Sequence, residues 1–142
     1  MCSARYLVLI VILICSCAKT VDDNDLSFNQ KKWSNLKIAN YEFTLTVSCY
    51  CLPERIGPHI IKVADDKIVS VNNLPYNISK TGELVTFNQL FGYIQTSIDK
   101  NPFSKTIQYN SIYGYPETVY FDFDQRIADE EIGYQITNLK IN

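Results

Sequence analysis

The sequence predicts an α+β fold: an antiparallel sheet of about six strands with two helices packed on one face, in the order α-β-β-β-α-β-β-β. Three observations carry this expectation. From Tyr41 to Cys51, Tyr41, Phe43, Leu45, Val47, Cys49 and Cys51 alternate with Glu42, Thr44, Thr46, Ser48 and Tyr50. Such alternation gives a strand one buried and one solvated face. After Thr86, apolar residues at Phe87, Leu90, Phe91, Ile94 and Ile98 keep the spacing of an amphipathic helix. Short connections between the remaining strand-like runs make their neighbours antiparallel, which leaves the helices together on one side.

The elements follow in order. Ser27, with Gln30 three residues on, reads as a capping box. The helix it opens is expected to turn Phe28, Trp33 and Leu36 inward and to end near Ala39 and Asn40. The long strand 41–51 comes next. Pro53, Gly57 and Pro58 make 52–58 a loop, since a ladder cannot continue through them. Strands 59–63 and 67–71 flank Ala64, Asp65 and Asp66 as a hairpin. The polar stretch 72–84 reads as loop. Thr86 and Gln89 form a second capping box, and Asn101-Pro102 stops the helix. Three further strands are read at 105–109, 117–124 and 133–139.

Composition bounds the function. The 142-residue chain opens with an apolar run from Tyr6 to Ile14 behind Arg5, closed by small residues up to Cys17. This is the layout of an export signal. From Tyr6 to Ala18 it is about 13 residues, or roughly 20 Å, too short for the ~30 Å core of a bilayer. Ile14-Cys15-Ser16-Cys17 resembles the bacterial lipoprotein signal. That resemblance implies a diacylglyceryl group on Cys17 and cleavage after Ser16. Residues 1–16 are then the signal, 17–24 a short tether and 25–142 one α+β domain. Two or three acyl chains hold a protein at a membrane where one is marginal. Ala18 after the cysteine directs the protein to the outer membrane, on its periplasmic face, if the host has two membranes. In a eukaryotic host, Asn77-Ile78-Ser79 becomes a glycosylation acceptor instead.

Only Arg5 is charged within residues 1–16, so the mature chain carries 12 basic against 15 acidic side chains. No basic cluster exceeds Lys31-Lys32, and nucleic acid is not an expected partner. Ten tyrosines, seven phenylalanines and one tryptophan suit a β-rich core.

Several of these landmarks together resemble a family of bacterial secreted proteins, domain of unknown function 6174. They are Trp33 leading into an aromatic strand, Cys49-Tyr50-Cys51 at that strand's end, the hairpin, the helix opening at Thr86 to Phe91, and Tyr113-Gly114-Tyr115-Pro116 ahead of the acidic Asp129 to Glu131. The similarity runs from about residue 28 to 139. It implies the same architecture and an envelope location, and it supplies no activity.

Candidate sites are few. Cys49 and Cys51 are the thiols left once Cys17 is acylated. In an ideal strand their Cα atoms lie roughly 6.5–7 Å apart, at the edge of disulfide reach. A local disulfide, two buried thiols and a redox or metal-binding pair all remain open. His59, the single histidine, is either a satisfied strand residue or a lone general base. Tyr113, Gly114, Tyr115 and Pro116 form either a packed turn or an aromatic binding surface. Asp122, Asp124, Asp129, Glu130 and Glu131 fit no EF-hand spacing, and acidic turns are common. No catalytic constellation, metal set or cofactor is expected. The sequence therefore suggests a lipid-anchored, non-catalytic binding module with a protein or cell-wall partner. The alternative is a small exported thiol/redox protein or enzyme using Cys49 and Cys51.

Overall fold

The computed structural model describes residues 25–127 and 129–142, so the expected signal, the tether and Cys17 lie outside the described residues. Helix α1 (Leu26–Asn35) leads into β1 (Asn40–Cys49), a one-turn helix α2 (Pro53–Ile56), and strands β2 (His59–Ala64), β3 (Lys67–Val71) and β4 (Leu74–Pro75). A second one-turn helix α3 (Ile78–Thr81) precedes α4 (Phe87–Asp99), then β5 (Ser104–Tyr109), β6 (Pro116–Asp122) and β7 (Ile132–Ile141). The strands form one antiparallel sheet in the order β4-β3-β2-β1-β7-β6-β5.

The α+β class holds at this level, with two corrections. Among the described residues the sheet has seven strands rather than about six. The extra one arises because Asn72 and Asn73 (φ 52° and 63°) repeat the turn already made by Asp65 and Asp66 (φ 46° and 58°). Paired positive φ values are what a two-residue hairpin of right-handed twist requires, and Asn and Asp tolerate them. The helices also differ from the expected pair on one face. There are four among the described residues, two of them single turns inside segments read as loop. Helix α4 packs on β6 and, through Phe87, on Tyr41 and Phe43 of β1, whereas α1 packs on α4 and meets β1 through Trp33.

Helix α1 reaches the core chiefly through Trp33, with Leu26 packed at its edge. Trp33 meets Tyr41 edge-on at 5.3 Å, Phe87 at 5.0 Å and Tyr115 at 6.2 Å between ring centres. Phe28 and Leu36 stay exposed, because the buried stripe of this helix runs through Asn29 and Trp33. Its N-cap is Asp25, not Ser27: Asp25 Oδ1 accepts from the Phe28 N–H at 2.9 Å and from the Ser27 hydroxyl at 2.6 Å. A carboxylate there answers two donors at once and leaves Ser27 no capping role. The helix stops at Asn35, with Lys37 at φ 51°, four residues before the expected end.

The alternation in β1 is obeyed. Tyr41, Phe43, Leu45 and Val47 are buried beneath the helices, and Glu42, Thr44 and Thr46 face outward. Glu42 lies between Lys140 (2.9 Å) and Lys62 (3.7 Å), tying β7 and β2 across β1. Lys140 chiefly holds its carboxyl below the usual range. Helix α4 carries the expected capping box and buries Phe87, Leu90, Phe91 and Ile94, with Ile98 half-buried. Burying each such side chain contributes roughly 1.5–3 kcal/mol. Among the described residues no helix is long and apolar enough to cross a membrane.

Candidate functional site

The site begins where β1 leaves the sheet. After Cys49 the chain bends at Tyr50 and Cys51, which draws the two Cα atoms to 5.3 Å and bonds their sulfurs. Tyr50 and Leu52, on either side of Cys51, project into solvent at 84% and 74% exposure. Pro53 then starts α2 at a position where its missing N–H costs nothing. Gly57 (φ 85°) turns the chain back: a Cβ there would lie 2.8 Å from the His59 nitrogen and 2.9 Å from the Leu45 carbonyl oxygen. Only glycine fits that approach.

His59, buried on the inner face of β2, secures the turn from below. Its Nε2 donates to the Arg55 carbonyl oxygen at 3.2 Å, which fixes the tautomer. Its Nδ1 has no partner among the described residues. His59 is thus a positioning residue for α2.

Facing α2 stands α3, which the sequence reading left as loop. Asn77 caps it, its Oδ1 accepting from the Ser79 N–H at 3.0 Å. Tyr76 binds the far end: its hydroxyl donates to the Gly82 carbonyl at 3.3 Å and accepts from the Leu84 N–H at 3.2 Å. Between α2 and α3 opens a groove of about 900 Å³ whose lining includes Leu52, Glu54, Arg55, Ile78, Lys80 and Glu83. A smaller cavity of about 260 Å³, bounded by Tyr93, Val85 and Tyr134, shares Arg55 and Glu83 with it. Arg55 therefore forms a wall between two spaces.

The guanidinium is the chemically distinctive group here. Its Nε is buried and has no hydrogen-bond partner among the described residues. Tyr134 is pushed up to about 12 by burial, with Arg55 pulling in the other direction. Burial likewise raises Tyr93. Arg55 forms no ion pair among the described residues, although Glu54 and Glu83 border the same groove. The arrangement can bind an anion against apolar walls.

The other expected site residues fall elsewhere. Tyr113 is half-buried, and Gly114, Tyr115 and Pro116 are buried, so this segment packs as a turn. Its inward course follows from Gly114 (φ 81°), which rests against α1, and from Tyr115, whose ring stacks on Phe87 at 4.9 Å. The Asn110 side chain accepts from the N–H groups of Ile112 and Tyr113 and closes the turn. The acidic segment is internally engaged. Asp124 pairs with Arg126 at 2.6 Å, and Glu130 accepts from the Phe123 N–H at 2.8 Å. Among the described residues no three His, Cys, Asp or Glu side chains gather to hold a metal.

Sequence reasoning missed Arg55, Leu52, Ile78 and Lys80 as site residues because they sit in segments read as loop. Two signals were present: Pro53 at the first position of a helical turn, and Asn77 as an N-cap followed five residues later by Gly82. The family of unknown function DUF6174 matches residues 25–141. No curated protein and no solved structure matches the chain.

Proposed function

This chain belongs to the DUF6174 family of unknown function, and we propose that it is an exported, lipid-anchored envelope protein acting as a non-catalytic binding module. One observation carries the location: a charged start and a short apolar run end in Ile14-Cys15-Ser16-Cys17. The binding role is supported by the groove between α2 and α3, whose walls are pinned by His59, Asn77 and Tyr76. A preformed concavity with a few polar groups among apolar ones is the usual form of a ligand site. The partner is a protein or a cell-wall component, and the membrane is met through the acylated N-terminus.

Expression of the full chain in a bacterium tests the location. The mature protein should begin at a Cys17 carrying acyl chains, and Cys17→Ser should be neither trimmed after Ser16 nor retained with membranes. An acyl-free mature terminus overturns the reading.

The bonded pair Cys49–Cys51 on the rim favours a second reading, a thiol/redox protein that exchanges this disulfide with a partner dithiol. The two separate on trapping by alkylation in intact cells. A redox protein shows a standing population of the reduced, alkylated pair; a binding module keeps its sulfurs bonded.

A further inference from the structure

Resting on the binding-module reading, we propose that the groove between α2 and α3 receives the carboxyl-terminal end of an apolar peptide, with the terminal carboxylate held by Arg55. Three observations converge on this ligand. The first is the Arg55 guanidinium, which lies against Tyr134, forms no ion pair among the described residues and leaves its Nε without a hydrogen-bond partner. A buried Nε–H without a partner is a donor waiting for an acceptor, because such groups are rarely left unsatisfied. Arginine presents a planar fork that matches the two oxygens of a carboxylate. Neither neighbouring acid occupies that fork, although Glu54 and Glu83 both border the groove.

The second is preorganisation. The Arg55 stem lies along Gly82, where a Cβ would meet its Cγ and Cδ at 3.5 Å, and its backbone carbonyl is held by His59 at 3.2 Å. The side chain is therefore placed before a ligand arrives, which lowers the ordering cost of binding.

The third is the mixture of surfaces around the guanidinium. Leu52 and Ile78 are 74% and 57% exposed, large apolar side chains left facing open space on opposite walls. The groove is also lined by Lys80, Ser79, Glu54 and Glu83. Apolar side chains of a peptide would cover Leu52 and Ile78, while its amide groups would meet the polar residues. An alkyl chain of similar length would instead press methylenes against those charges and desolvate them without compensation.

The test uses the full chain in nanodiscs of phosphatidylethanolamine and phosphatidylglycerol. Two dye-labelled peptides ending in a pair of leucines, one with a free carboxylate and one amidated, are titrated by fluorescence anisotropy. The free carboxylate should bind at least tenfold more tightly than the amide. Arg55→Gln should erase that difference, and Arg55→Lys should restore part of it, since the charge returns without the fork. Ile78→Asp, at an exposed position that leaves the core intact, should weaken both peptides if Arg55→Gln proves unable to fold. Equal binding of the two peptides, binding of neither up to millimolar concentration, or discrimination that survives Arg55→Gln overturns the proposal. Displacement by decanoate at the peptide's own affinity also overturns it, in favour of a fatty acid. Acylation of Cys17 is read separately by mass, so a failed titration on an acylated protein rejects this ligand and leaves the envelope reading standing.

Discussion

Gly114 shows how much one position can decide. Its φ of 81° lies in the left-handed region, and a Cβ there would stand 2.8 Å from the Asn29 carbonyl oxygen and 3.0 Å from Lys32 Cβ. Both features are unfavourable for any L side chain. Gly114→Ala is expected to destabilise the fold by about 2–4 kcal/mol, seen as a lower urea midpoint with an unchanged slope. A loss under about 0.5 kcal/mol would show that α1 yields without cost. The turn itself was legible from glycine and proline in the sequence. The burial of Tyr115 was not, because its ring finds Phe87 and Trp33 from distant parts of the chain. Arg55 was illegible for the same reason: an arginine in a proline-flanked segment reads as solvated until the fold places Tyr134 and Gly82 around it.

Among the elements, α4 is the best specified. Thr86 Oγ1 accepts from the Gln89 N–H at 3.3 Å, and Gln89 Oε1 accepts from the Thr86 N–H at 2.8 Å. The same hydroxyl donates to Asp66 Oδ1 at 2.9 Å, joining the helix to the β2–β3 turn. Thr86→Ala removes both roles of this hydroxyl, leaving only the backbone N–H to Gln89, and should cost about 1–2 kcal/mol in chemical denaturation. Thr86→Ser, which keeps the hydroxyl, should recover most of that. Periodicity made α4 readable, since thirteen residues give the 3.6-residue repeat room to appear. Helices α2 and α3 have four residues each, too few for any repeat, and only their capping residues announced them. Helix α1 was found but misplaced at both ends, because Asp25 caps it two residues earlier and engages the Ser27 hydroxyl as a donor, and Lys37 closes the turn early.

At the scale of the whole molecule, the aromatic core predicts a response to alkali. Burial first of all pushes Tyr41, Tyr115 and Tyr134 up to about 12 from an ordinary 10. The folded chain therefore keeps these protons at a pH where the unfolded chain has released them. Stability from this source is complete below pH 10 and declines between 10 and 12. Thermal melts at pH 9, 10 and 11 should show a steady midpoint and then a falling one. Tyr134→Phe should flatten the fall, whereas a midpoint unchanged up to pH 12 would mean these rings are solvated. The antiparallel hairpins were legible because turn and strand signals are local; the order of the strands was not. Nothing in residues 132–141 says that they pair with 40–49 instead of extending the sheet at its edge. That placement of β7 has a consequence for how the protein is made. Synthesis supplies β1 first, then another 82 residues (50–131) before its second neighbour starts to emerge. Until then the pairings of the finished sheet open to the chain fall in two separate sets, β4 to β1 and β5 with β6. The nascent chain is thus held open by its own topology, and its final strand acts as the keystone.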